Sequence, residues 1–225
     1  MRIATWNAQT GLTDNWETLE ALRADVITVQ ECGIDTAAEA EARSGWTCAY
    51  KPGRWGRGLA VLARSPFAIE MDEEAEPFVV STIIAGPRRF RFVGLWAMTE
   101  KDVGYTYTQQ ATRVIAALPA DQLDTVVAGD FNASKSPEHL ANVASLAERG
   151  LVSAYHAKHR VAHSGTEAHP TSFHQWNPSR PFHMDFVFVP TRWEIESVDV
   201  GTFDDYVGKR LSDHTPVVVS IPDPV

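Results

Sequence analysis

The apolar residues of this chain gather into short runs that end abruptly in polar side chains. Residues 2–8 alternate loosely, with Ile3, Thr5 and Trp6 among them, and predict a strand whose mouth holds Asn7, Gln9 and Thr10 before Gly11. Asp14 suits the N-cap of a helix through Trp16, Leu19 and Leu22, with Glu17 completing a capping box. Residues 25–30 return as a strand that delivers Glu31 at its end. Residues 36–44 read as a helix stopped by Gly45, and residues 46–50 and 58–63 as two strands. The stretch between those strands carries Lys51, Arg54, Trp55 and Arg57. It is either a solvated connection or a substrate loop in which Arg54 or Arg57 meets a phosphate and Trp55 covers a ring.

Residues 77–84 and 89–98 predict an antiparallel pair joined at Gly86-Pro87, with Arg89 and Arg91 on the outward face. Thr106 or Thr108 can cap a helix whose stripe is Ala111, Val114, Ile115 and Leu118, closed by Pro119. Residues 125–128 are a β-branched run of the kind that fills a sheet buried on both faces, and Gly129 then lets the backbone turn. Asp130 and Asn132 follow two apart, on one face of an extended segment. A carboxylate and an amide together suit a metal-bound water, although an Asp/Asn turn has the same composition. Ser136-Pro137 opens another helix, with Leu140, Val143, Ala144 and Ala147 as its buried face and Gly150 as its end. Residues 184–189 form a strand carrying Asp185. Residues 217–221 form the last, preceded by Ser212-Asp213-His214-Thr215-Pro216.

Composition narrows the class. The chain has 225 residues and no Pro/Gly/Ser-rich divider, so a single domain over 1–225 is expected, with seven tryptophans and 44% hydrophobic residues to fill a core. Cys32 and Cys48 are too few for a disulfide scaffold and read as reduced thiols of a cytoplasmic protein. No apolar run is long enough for a signal sequence or a membrane span. A formal net charge of -9 argues against a protein that coats long nucleic acid by counterion release. It does not argue against a nuclease, because carboxylates at a metal site add to that total and are neutralised by the ion. The histidines beyond Gly150 raise the question of zinc. They read as loop residues rather than a helical pair backed by a carboxylate, with neither cysteine nearby, so a dedicated zinc cage is not expected.

Groups able to hold a divalent cation and a phosphate therefore stand at the ends of separate strands: Asn7, Glu31, Asp130 with Asn132, Asp185, and Asp213 with His214. Thr5-Trp6-Asn7, Val29-Gln30-Glu31, residues 58–66, Gly129-Asp130-Phe131-Asn132, His183-Met184-Asp185-Phe186 and Ser212-Asp213-His214-Thr215-Pro216 occur in one order. In that order they resemble the motifs of the endonuclease/exonuclease/phosphatase family. The resemblance implies an α/β four-layer sandwich, two mostly antiparallel sheets packed face to face and flanked by helices. It also implies phosphoester hydrolysis dependent on Mg²⁺ or Mn²⁺. Carried over residue by residue, Glu31 is the principal metal ligand, helped by Asn7. Asp130 and Asn132 orient water and phosphate, and Asp185 holds His214. His214 handles the proton or the developing charge, and Asp213 serves the metal or the leaving group.

Much of the family ends the strand corresponding to residues 92–98 in a histidine or tyrosine that contacts phosphate. Here Trp96 stands in that region, with only an indole N–H to offer. Either Tyr105, Tyr107 or Arg57 supplies the contact, or Trp96 marks a different handling of phosphate. Gln9, where some members carry an acid, puts a second metal in doubt. The leading expectation is a nuclease acting on DNA or RNA. The acidic charge favours a hydrolase of a small phosphorylated metabolite or lipid head group instead, and Trp96 motivates a third possibility, a phosphate-binding module without turnover.

Overall fold

The β-branched runs pair into two six-stranded sheets and a short two-stranded ribbon. The structure, a computed structural model, describes residues 1–9, 12–73 and 75–223. In chain order the first elements are β1 (Arg2–Asn7), α1 (Leu12–Ala21), β2 (Val26–Gly33), α2 (Thr36–Ala42), β3 (Trp46–Pro52), β4 (Arg57–Arg64), β5 (Ala68–Glu73), β6 (Val79–Ala85) and β7 (Phe90–Trp96). There follow α3 (Glu100–Val103), α4 (Tyr107–Ala117), β8 (Thr125–Asp130), α5 (Pro137–Glu148), β9 (Leu151–Ser153) and α6 (Ala154–His159). The chain closes with β10 (Ser172–Phe173), β11 (Pro181–Phe182), β12 (Asp185–Pro190), β13 (Ser197–Val200) and β14 (Val217–Ser220).

One sheet runs β13-β14-β1-β2-β4-β3 and the other β5-β6-β7-β8-β12-β9. Each is antiparallel except for one central parallel pair, β1 with β2 and β7 with β8. Between the sheets lies a core to which both contribute, Ile3, Val26 and Val61 meeting Phe92, Val126 and Val187. Trp16, Leu19 and Leu22 of the first helical layer cover the outer face of one sheet, and Ala111, Val114, Ile115 and Leu146 cover the other. The result is the four-layer sandwich expected, with each sheet buried on both faces. That burial explains why the central strands read as continuous apolar runs rather than alternating ones.

Several elements differ from the sequence expectation. Helix α1 begins at Leu12, so Asp14 lies within it rather than capping it; the Asp14 side chain, like Thr10 and Gly11, lies outside the described residues. Strand β5 was not expected, because residues 68–73 are acidic and helix-favouring; an edge strand tolerates such residues. Arg91 is not solvated: it is buried and forks onto Asp121 through two bonds of 3.1 and 2.8 Å. Helix α5 is capped by Ser136 as expected but turns His139, Asn142 and Leu146 inward, while Leu140 is 41% exposed. Its neighbour is polar there, since Asn142 accepts from Thr112 and donates to the Thr108 carbonyl. The 150–183 region, expected as loop, contains α6 and the β10–β11 ribbon.

Candidate functional site

Two local backbone features aim the acids. Gly129 sits at φ +149°, and a Cβ there would collide with the Leu95 carbonyl oxygen, so only glycine lets β8 lie this close to β7 before Asp130. Glu31 is not at a strand end. It occupies a bulge in β2, where the register against β4 shifts between Gln30 and Cys32, with φ 55°. The bulge turns its carboxylate out of the alternating pattern and toward the sheet edge.

At that edge the side chains interlock. Asn7 Nδ2 donates to Glu31 Oε1 at 3.0 Å and to Asp130 Oδ2 at 3.1 Å, joining the two acids through one amide. Asp130 Oδ1 accepts the Asn132 backbone N–H at 2.8 Å, and the Asn132 amide is anchored on the Ala97 carbonyl. Across the β8–β12 ladder Asp130 is the register partner of Asp185, whose Oδ2 lies 2.9 Å from His214 Nδ1. His214 Nε2 meets the Ser172 hydroxyl at 3.2 Å, and Ser212 fixes the segment by donating to the Asn7 carbonyl at 2.6 Å and accepting from the His214 N–H. These groups open on a cleft of about 230 Å³ lined by Glu31, Arg57, Asp130, Asn132, Asp213 and His214 among others.

The electrostatics follow from burial. Asp130 is held well above the usual carboxylate range, by burial first and the Asp185 charge second. For His214 burial opposes the imidazolium, but Asp185 and Asp130 outweigh it and hold the ring protonated. Asp213 is raised chiefly by burial, with the Glu31 charge adding to it, and with Asp130 three carboxylates line the cleft. Arg57 pairs with Glu31 on one side. Asp185 Oδ1 is buried and has no hydrogen-bond partner among the described residues. Asn7, Glu31 and Asp213 offer only oxygen donors, the set a hard divalent cation prefers, and their net negative charge calls for one.

A sequence profile of the Endonuclease/Exonuclease/phosphatase family matches residues 4–214. The chain belongs to that family. Among curated proteins none matches significantly. Solved structures share the endonuclease/exonuclease/phosphatase fold over nearly the full length. An AP endonuclease from Archaeoglobus fulgidus is 16% identical, with 98% of this chain and 99% of that chain covered and a TM-score of 0.74. The 3' phosphatase NExo from Neisseria, bound to a product DNA hairpin, is 16% identical, with 99% of each chain covered and a TM-score of 0.71. A mannosyl-6-phosphatase from Bacteroides thetaiotaomicron is 14% identical, with 99% of each covered and a TM-score of 0.68. As a member of the endonuclease/exonuclease/phosphatase family the chain is a phosphoesterase, of a family that depends on a divalent metal. No helix among the described residues is long and apolar enough to cross a membrane.

The structure brings Asn7, Glu31, Asp130, Asn132, Asp185, Asp213 and His214 to one edge and adds Arg57 to them. Trp96 is a correction. It is 3% exposed, the parallel register partner of Asp130, and packs edge-on against Phe78 within the core, so it is not a substrate contact. The phosphate contact expected at that strand end therefore falls to another residue, and it is membership of a family of phosphoesterases that stands against a binding module without turnover. Tyr105 is a second correction: its hydroxyl donates to Glu76 at 2.8 Å, and it does not line the cleft. Arg54 lies over the exposed Trp55 at the tip of the β3–β4 turn, also outside the cleft lining. Ser172 and His174, which line the cleft, lie in the stretch of residues 156–174 that was expected to rim the site without either being singled out, while Lys135, which lines an adjoining groove with Tyr107 and Asn132, was missed. The polar stretch around Ser172 and His174 carries no periodicity, so only contact reveals them.

Proposed function

We propose that this chain is a Mg²⁺- or Mn²⁺-dependent phosphodiesterase that cuts DNA or RNA, working as a single domain over residues 1–225 in the cytoplasm, where free thiols such as Cys32 and Cys48 persist. One observation carries the proposal. Asp130, Asp185 and His214 converge with Asn7, Glu31 and Asp213 on one cleft, which shares Asn132, Phe182 and Met184 with a groove of about 300 Å³. A groove that continues past the reacting centre suits a substrate whose chain extends beyond the scissile bond, with Lys135 lining the groove and His174 and Arg57 lining the cleft it joins.

Attack of water on a phosphodiester has to overcome anion repulsion, position the water in line and remove its proton. Asn7, Glu31 and Asp213 would hold the divalent cation, which when bound supplies Lewis-acid polarisation of the phosphoryl oxygens. Asp130, kept basic enough by burial, accepts the water's proton. Asn132 fixes the Asp130 carboxylate and orients the phosphate. Asp185 holds His214 as an imidazolium whose Nε2–H, now on Ser172, turns to the phosphoryl oxygen as charge develops there. Arg57 leaves Glu31 to meet the phosphate.

A panel of single- and double-stranded DNA, an abasic-site duplex, RNA and a small chromogenic phosphodiester, each with magnesium, manganese or chelator, tests this. Metal-dependent cleavage of a polynucleotide that is lost in Asp130→Ala supports it. Cleavage confined to the small ester supports the second reading, a hydrolase of a phosphorylated metabolite or lipid head group. That reading is favoured by the formal net charge of -9 and by the like fold of the mannosyl-6-phosphatase.

A further inference from the structure

Behind the β12 strand, away from the cleft, four histidines and a glutamate are packed together with their polar atoms turned on one another. His156 comes from α6, His163 and Glu167 from the loop after it, His183 from the residues leading into β12, and His139 from the first turn of α5. His156 and His163 stack with ring centroids 3.4 Å apart, and the His183 ring stands 5.8 Å from His156, nearly perpendicular. His139 and His183 are each 1% exposed, and the Glu167 side chain is also 1% exposed.

A buried cluster of this kind should be fully hydrogen-bonded, and it is not. Both ring nitrogens of His139, Nδ1 of His163, Nε2 of His183 and Oε2 of Glu167 are buried with no hydrogen-bond partner among the described residues. The partners that do exist orient what is left over. His183 Nδ1 lies 2.8 Å from the His169 carbonyl, which can only accept, so Nδ1 carries the proton and Nε2 is a bare lone pair. Glu167 Oε1, a carboxylate oxygen that only accepts, lies 3.1 Å from His156 Nε2, so Nε2 carries the proton that a metal would displace, and His156 Nδ1 accepts from the Ser153 hydroxyl at 2.8 Å. Glu167 Oε1 is fixed by the backbone N–H groups of Ser164 and Gly165. A ring nitrogen tied on one side and open on the other is the arrangement that sets a histidine for a metal.

We propose that His156, His163 and Glu167, with His183 as the fourth donor, form a zinc-class transition-metal site separate from the phosphoesterase cleft. The donor atoms of the first three lie within 4.8 Å of one another. A tetrahedral ion with bonds of about 2.0–2.1 Å holds its ligands about 3.3 Å apart, so those three close on it by an inward shift, and His183, with its ring centroid 5.8 Å from that of His156, turns in to supply the fourth. Imidazole with one carboxylate selects zinc and its neighbours over magnesium.

The site stands apart from the residues lining the cleft, which makes its role structural. Its loop ends at Thr171, whose hydroxyl accepts the backbone N–H groups of Met184 and Asp185, and Ser172 follows against His214. A metal at His163 and Glu167 therefore pins the segment that holds the Asp185–His214 pair. The sequence carries a signal for it: His159, His163 and Glu167 are spaced four apart. Read as a helix that spacing misleads, because α6 ends at His159 and the partner of His163 is His156.

The test reads metal content and stands whether or not the cleft cuts nucleic acid. Metal-free protein is loaded with Zn²⁺ alone, or with Co²⁺ as a visible probe, in excess Mg²⁺, then desalted and assayed by elemental analysis and absorption. The wild type and Glu31→Gln should each retain one equivalent, with the intense absorption of tetrahedral Co²⁺ and a raised melting temperature. A Cys32→Ser/Cys48→Ser variant should behave the same way. His163→Ala and the near-isosteric Glu167→Gln should lose retention, absorption and the melting shift. The proposal is overturned by a folded wild type that retains neither ion, by loss of the ion in Glu31→Gln, or by undiminished retention in both His163→Ala and Glu167→Gln.

Discussion

Asp130 and Asp185 stand directly opposite each other on neighbouring antiparallel strands, and both carboxylates are buried. Two like charges so close resist joint ionisation, and the pair is stable only because Asn7 and Asn132 donate to one acid and His214 to the other. His214 thus owes its proton to Asp185. Asp185→Asn should lower kcat by about 10²- to 10⁴-fold, while the melting temperature changes little because the repulsion on Asp130 is relieved at the same time. Steady-state kinetics beside a thermal melt check this; an unchanged kcat would remove His214 from the mechanism.

Arg57 competes for Glu31 with any cation in the cleft, since it pairs with the same carboxylate. The pair is partly solvated, with side chains 33% and 18% exposed, so its worth is modest. Arg57→Gln should lower the Mg²⁺ concentration for half-maximal activity by about two- to fivefold and raise KM for a phosphodiester. A metal titration at fixed substrate reads the first effect and a substrate titration at saturating metal the second.

Trp96 belongs to the core between the sheets. Trp96→Ala should cost about 3–5 kcal/mol of unfolding free energy, measured by urea titration, and Trp96→Phe should recover much of it. The Phe variant should keep the wild-type KM. A large rise in KM with stability intact would restore Trp96 as a substrate contact.

Glu76 is held below the usual glutamate range by the donors Arg113 and then Tyr105. The unfolded chain therefore takes up a proton near 4.5 while the folded chain does not. The stabilisation is complete above the unfolded value and is lost as pH falls through the folded one. The stability difference between wild type and Glu76→Gln should be constant near neutrality and shrink on acidification below about pH 5. Paired denaturant titrations across that range measure it, and a difference that grew on acidification would reverse the sign assigned to Glu76.

Hydrophobic periodicity and turn chemistry are local, so the sequence by itself determined the central strands, the capped helices at Thr106 and Ser136, and the strand ends bearing Asn7, Asp130 and Asp185. It also carried the family motifs in order, because each is a contiguous stretch. What lay beyond it depended on which strands become neighbours. The bulge at Glu31 appears only where β2 pairs with β4, and the burial of Trp96 only where the two sheets close. Edge strand β5 is held by its partner rather than by its own composition. The inward turn of His139 and the gathering of four histidines from α5, α6, a loop and the lead into β12 were decided by long-range packing alone. Residues far apart in sequence leave no periodic trace of the contacts they make, and those contacts set the orientation of every polar atom in that cluster.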